Sequence, residues 1–119
     1  LVGLGEATHG TSEVFSLKDR IYRMLVERMG FTVFAMEMPW LSGRAIDTYV
    51  TTGQGNARAI LAGSFAVWNN QEVLDLIEWM RAYDAAPGSH ARLRFVGIDI
   101  EDNPSALARL IPPADARRV

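Results

Sequence analysis

The chain has 119 residues, 49% of them hydrophobic and 22% charged, which suits a single folded domain and excludes a disordered chain. Twelve basic against fourteen acidic residues give a net charge of -2, so nucleic acid is not an expected partner. With no cysteine, a disulfide scaffold, a thiolate metal site and a cysteine nucleophile are excluded, and a cytoplasmic location is expected. No apolar run approaches the roughly 18 residues of a membrane span, and no membrane association is expected.

In chain order, short apolar runs alternate with helical patterns, the pattern of a parallel sheet flanked by helices. Leu1–Gly5 reads as a first strand. A helix is expected over Ser12–Met29, with Val14, Leu17, Ile21 and Leu25 on its core face, widened by Phe15, Tyr22, Val26 and Met29, and Gly30 ending it. The run from Phe31 to Met36 is apolar on both faces, as a strand between helix layers would be. It continues into Glu37 and stops at Pro39. Weaker helices are expected over 42–51 and 56–62, on either side of Gly53-Gln54-Gly55. A strong helix follows over 70–85, with a capping box formed by Asn69 and Glu72 and a core stripe of Val73, Leu76, Ile77, Met80 and Tyr83. Leu93–Ile98 is the third strand, and Asn103-Pro104 opens a short last helix through Leu110. The expected architecture is α/β, three-layered, with a mostly parallel sheet. Because the chain opens directly on a strand and trails off in a proline-broken segment, it is expected to be part of a longer protein.

Parallel strands place their carboxyl ends on one edge, where open α/β sheets bind ligands. Each expected strand delivers an acid there: Glu6, Glu37 and Asp99. His9 joins them from the loop after Glu6. Glu37 interrupts an apolar stretch between Met36 and Met38, a costly place for an unpaired carboxylate. Lys18, on the expected buried face of the first helix, either snorkels to the rim or meets a carboxylate. Trp40 and Trp68, in loops on the rim side, are placed to wall a substrate pocket. His90 falls at the opposite edge, and Asp102 reads as a helix-start residue.

The segment Gly3-Leu4-Gly5-Glu6-Ala7-Thr8-His9-Gly10 lacks the glycine spacing of a dinucleotide loop, and no Gly-Lys-Ser/Thr follows. There is no Gly-x-Ser-x-Gly elbow and no His-Glu-x-x-His helix. What remains is a histidine base among carboxylates acting on water.

Gly5-Glu6-Ala7-Thr8-His9-Gly10-Thr11, with Phe15, Lys18 and Arg20 after it, closely resembles the signature of the erythromycin esterase family. The likeness continues through Gly30-Phe31 and Glu37, Trp68-Asn69-Asn70, and Phe95-Val96-Gly97-Ile98-Asp99. It identifies residues 1–119 as the amino-terminal portion of a family domain roughly three times longer. The resemblance implies hydrolysis of a macrolactone ester in an erythromycin-like antibiotic, a small-molecule substrate, without a required cofactor. It casts His9 as general base, Glu6 and Glu37 as its electrostatic and orienting partners, and Lys18 as a residue that binds substrate or offsets the acids. Trp40, Trp68 and Asp99, from their places on the rim, are the further candidate substrate-binding residues. The family site also draws on later histidines, so the 119 residues alone are expected to be inactive. Two alternatives stay open. In one, a divalent metal on His9 and Glu37 activates the water. In the other, the chain is a non-catalytic haem- or ligand-binding module with His9 as axial ligand.

Overall fold

A computed structural model of the chain describes residues 1–88 and 91–99. The described elements are α1 (Ser12–Met29), β1 (Val33–Pro39), α2 (Trp40–Thr52), α3 (Ala57–Ala62), a 3-10 turn (Ala66–Trp68), α4 (Gln71–Ala85) and β2 (Arg94–Asp99). The strands pair in parallel, with Phe34 opposite Phe95 and Ala35 opposite Val96. A parallel pair needs a crossover, and α2, α3 and α4 supply it. The α/β class read from the sequence is therefore what the structure shows, helices flanking a small parallel sheet.

Strand alternation decides what is buried. Met36 and Met38 of β1 and Phe95 and Gly97 of β2 point into the core, while Val33, Ala35, Glu37, Val96 and Ile98 are exposed. Tyr22 of α1 meets both Phe34 and Trp79 of α4 edge-on, at 4.9 and 6.0 Å. A Cβ on Gly43 of α2 would lie 2.2 Å from the backbone nitrogen of Gly97. α1 and α4 thus pack on this face of the sheet, while α2 lies along the outer edge of β2, where Asp47 accepts from the Phe95 N–H; among the described residues the other face is open.

The helices end where the sequence indicates. Gly30 and Gly53 close α1 and α2 in the left-handed conformation, at φ 70° and 77°, which glycine adopts without a Cβ penalty. Asn56 and Asn70 cap α3 and α4 through side-chain oxygens that accept from Ala59 and Val73. The cap of α4 is therefore Asn70 and not Asn69, and Glu72 bonds elsewhere.

Two expectations need correction. Leu1–Gly5 forms no strand, and Leu1 and Val2 are exposed. Five residues with two glycines bring little strand propensity and few side chains to pack. In α1 the buried stripe is Phe15, Tyr22, Leu25 and Val26, and Leu17 is exposed. The aromatic stripe prevails because Trp68, Phe34 and Trp79 lie opposite it. His90, Asp102 and the helix expected at Asn103–Leu110 lie outside the described residues.

Candidate active site

The loop from Gly5 to Thr11 carries the first site residues into α1. Gly10 takes φ 83°, a turn that favours glycine, and the Thr8 and Thr11 hydroxyls bond to each other at 2.8 Å. This fold of the loop turns His9 back on Glu6. The His9 Nδ1–H donates to Glu6 Oε1 at 2.5 Å, and the other carboxylate oxygen of Glu6 accepts from Lys18 Nζ. Lys18 sits on the buried stripe of α1, between Phe15 and Tyr22, with its ammonium 5.7 Å from the Phe15 ring centre. It therefore does both things the sequence allowed: its stem covers apolar surface and its head meets a carboxylate.

One carboxylate is thus shared by two cationic or proton-donating groups. The Lys18 hydrogen bond, reinforced by His9, outweighs the cost of partial burial and holds the Glu6 carboxyl below the usual carboxylate range. An ionised Glu6 fixes the proton of His9 on Nδ1 and leaves Nε2 as the acceptor.

Behind His9 stands Trp68, 4% exposed. Its ring meets His9 edge-on, with centroids 5.5 Å apart and planes at 74°. Phe15 packs on it at 5.8 Å and 79°. The indole N–H is buried without an acceptor among the described residues.

Glu6, His9, Lys18, Glu37, Trp68 and Glu72 all border one cleft of about 810 Å³, within the size range of small-molecule sites. Its walls are apolar, from Leu4, Tyr22, Leu25, Phe34, Met36 and Leu76 among others. Glu37 points to the open face of the sheet and is exposed, so its carboxylate escapes the desolvation its apolar neighbours suggested. It makes no hydrogen bond or ion pair with the described residues.

The structure does not bring Trp40 or Asp99 to this cleft. Trp40 is the first residue of α2, partly exposed, with the Arg44 guanidinium 4.9 Å over its ring. Asp99 ends β2 on the strand away from the Glu6 loop. Glu72 is the residue that the sequence did not assign to the site. It accepts from Ser12 Oγ, so the first turns of α1 and α4 are tied together beside His9. That hydrogen bond, with one from its own backbone N–H, lowers the Glu72 pKa. Sixty residues separate the two partners, and only the capping position of Glu72 hinted at a role. Among the described residues, no three histidine or acidic side chains converge to hold a metal ion. His9 and Glu37 alone do not make such a site, and the His9 Nδ1 is already engaged.

The family model for erythromycin esterase matches residues 26–116. Erythromycin esterase type II of Escherichia coli is 32% identical over 103 residues, which is 87% of this chain and 24% of that protein. Among solved structures, a succinoglycan biosynthesis protein is 38% identical with a TM-score of 0.77, over 97% of this chain and 30% of that one. A Bacillus cereus protein, also 38% identical, superposes with a TM-score of 0.79 over 98% of this chain and 28% of its own. The chain spans about a quarter or less of the length of the curated relatives it matches. The sequence match over residues 26–116 and the fold shared with these structures agree: this chain belongs to the erythromycin esterase family.

Proposed function

We propose that this chain is the water-activating part of a carboxylic ester hydrolase, and that the intact protein opens a macrolactone of the erythromycin type. The observation that carries this reading is the shared carboxylate of Glu6, with Lys18 on one oxygen and the Nδ1–H of His9 on the other. A histidine held this way presents a directed base to the cleft.

In the reaction, His9 Nε2 takes a proton from water as the oxygen attacks the ester carbonyl carbon. The carbonyl electron pair moves onto oxygen to give a tetrahedral intermediate. When the intermediate collapses, the acyl carbon–oxygen bond breaks and the His9 imidazolium returns its proton to the departing alkoxide. Glu6 stays ionised and stabilises the imidazolium. Glu37, exposed at the cleft border, orients the attacking water from the sheet side. The apolar walls suit a large, weakly polar acyl body, and Trp68 stands behind the base. Lys18 is committed to Glu6, so its part is to hold the acid and not to bind substrate. The reaction needs no cofactor in this reading, and it takes place in the cytoplasm.

The test is hydrolysis by the intact protein, followed by mass spectrometry for a product one water heavier than erythromycin. Simple acyclic esters and succinoglycan serve as further substrates. His9→Ala and His9→Gln should each lower turnover by about 10²–10⁴ while KM changes little. A folded His9→Gln protein with most of its turnover would rule out the mechanism.

A further inference from the structure

The base in this reading sits in a loop, and its side chain is 55% exposed. A single hydrogen bond from Nδ1 to Glu6 fixes one ring nitrogen but leaves the ring free to turn about that bond. The second constraint comes from Trp68, whose ring meets the imidazole edge-on at 5.5 Å. Trp68 can act as a stop because it is itself immobilised. Its side chain is buried in the core cluster and backed by Phe15, and its backbone N–H closes the 3-10 turn onto Phe65 at 3.0 Å. An edge-on pair of this kind is favoured by the ring quadrupole and contributes beyond the area it buries.

We infer that Trp68 is a positioning residue: it sets the plane of the His9 imidazole, and with Glu6 it fixes where Nε2 points. This rests on the reading of His9 as base and adds a residue that acts only through it. Misplacing a base by an ångström can cost on the order of a hundredfold in rate. A flat aromatic of any kind would serve, whereas an aliphatic side chain of similar bulk would fill the space without orienting the ring.

The experiment compares Trp68→Leu and Trp68→Phe in the intact protein, with Leu74→Ala as a control. Leu74 is buried in α4 and does not border the cleft. The first readout is the kcat and KM of ester hydrolysis. The second is NMR of the His9 ring, assigned by difference with His9→Gln. Trp68→Leu should lower kcat about tenfold to a hundredfold with KM nearly unchanged. It should also move the His9 ring protons out of their ring-current-shifted positions and broaden them. Trp68→Phe should restore kcat to within about threefold and keep the ring signals sharp. Leu74→Ala should lose stability but leave both readouts where they were. A folded Trp68→Leu protein with unmoved His9 signals, or with unchanged kcat in an active enzyme, would overturn the assignment. Turnover that survives His9→Gln would instead count against the esterase mechanism, and the ring signals would still decide the role of Trp68.

Discussion

Glu6 faces a lysine and a histidine at once, and removing either changes the chemistry of the other. With Lys18 in place, the Glu6 carboxyl titrates below its ordinary value of 4.5. Its stabilising contribution is full above that ordinary value and is lost as pH falls through the lower, folded value. Lys18→Met removes the main cause of the depression while leaving the apolar stem. The loss of stability on acidification that this carboxyl causes should then shrink in Lys18→Met, and Lys18→Arg should restore part of it. Urea melts from about pH 3 to about pH 7 on the three proteins check this. An unchanged pH dependence in Lys18→Met would mean that Lys18 does not hold the Glu6 carboxyl down. Asp47 plays an equivalent part away from the cleft. It accepts from the Arg94 guanidinium at 2.8 and 2.9 Å and from the Phe95 N–H at 2.9 Å. Burial raises its pKa, but these donors outweigh that and lower it overall. Asp47→Ala should cost about 1–3 kcal/mol in a urea melt, since it leaves a strand N–H and a guanidinium without their acceptor.

At the scale of elements, the closest packing is between α2 and β2. Gly43 and Gly97 let helix and strand touch through their backbones, and a Cβ on Gly97 would lie 2.6 Å from the Pro39 carbonyl oxygen. Gly43→Ala should therefore destabilise by about 1–3 kcal/mol despite the better helix propensity of alanine, which a thermal melt would show. A melt equal to that of the parent protein would mean that the seam has slack. The elements themselves were readable because their periods are strong: the apolar run ending at Pro39, the helix over 70–85 and the strand before Asp99 stand within a few residues of their expected places. The Glu6–His9 contact was readable too, because both residues share one short loop. Less readable was anything decided by distant partners. The sequence of α1 supports two overlapping apolar stripes, and the choice of Phe15 and Tyr22 over Leu17 depends on aromatic rings 12 to 57 residues further on. Trp40 was expected in a loop but begins α2, whose start directly at Pro39 turns it away from the cleft. Leu1–Gly5 carries a strand-like composition, yet pairing depends on a neighbour and not on composition alone.

At the scale of the whole molecule, the sheet face away from α1 and α4 carries, among the described residues, an exposed apolar stripe of Val33, Ala35, Val96 and Ile98. The stripe meets the outer edge of β1, which pairs with no further strand among the described residues, and both invite association. The 119-residue chain should therefore bind 8-anilinonaphthalene-1-sulfonate. Replacing Val96 with Thr and Ile98 with Lys together should lower that fluorescence without lowering the melting temperature. Fluorescence that does not fall would place the binding surface elsewhere. No helix among the described residues is long and apolar enough to cross a membrane.

The backbone contact between Gly43 and Gly97 also bears on how the molecule moves. Side chains can trade rotamers and let two elements slide, but two backbones in contact have nothing to exchange. The start of α2 and the end of β2 must travel as one body, carrying Trp40 and Asp99 with them. No residue of that body borders the cleft, so opening of the cleft falls to the bank where the glycine-bounded loop from Gly5 to Gly10 joins α1. Hydrogen exchange should divide along this line, slow at the Gly97 amide and fast through Ala7–Gly10. The base would then ride on the moving bank, and the sheet would be the fixed floor it closes against.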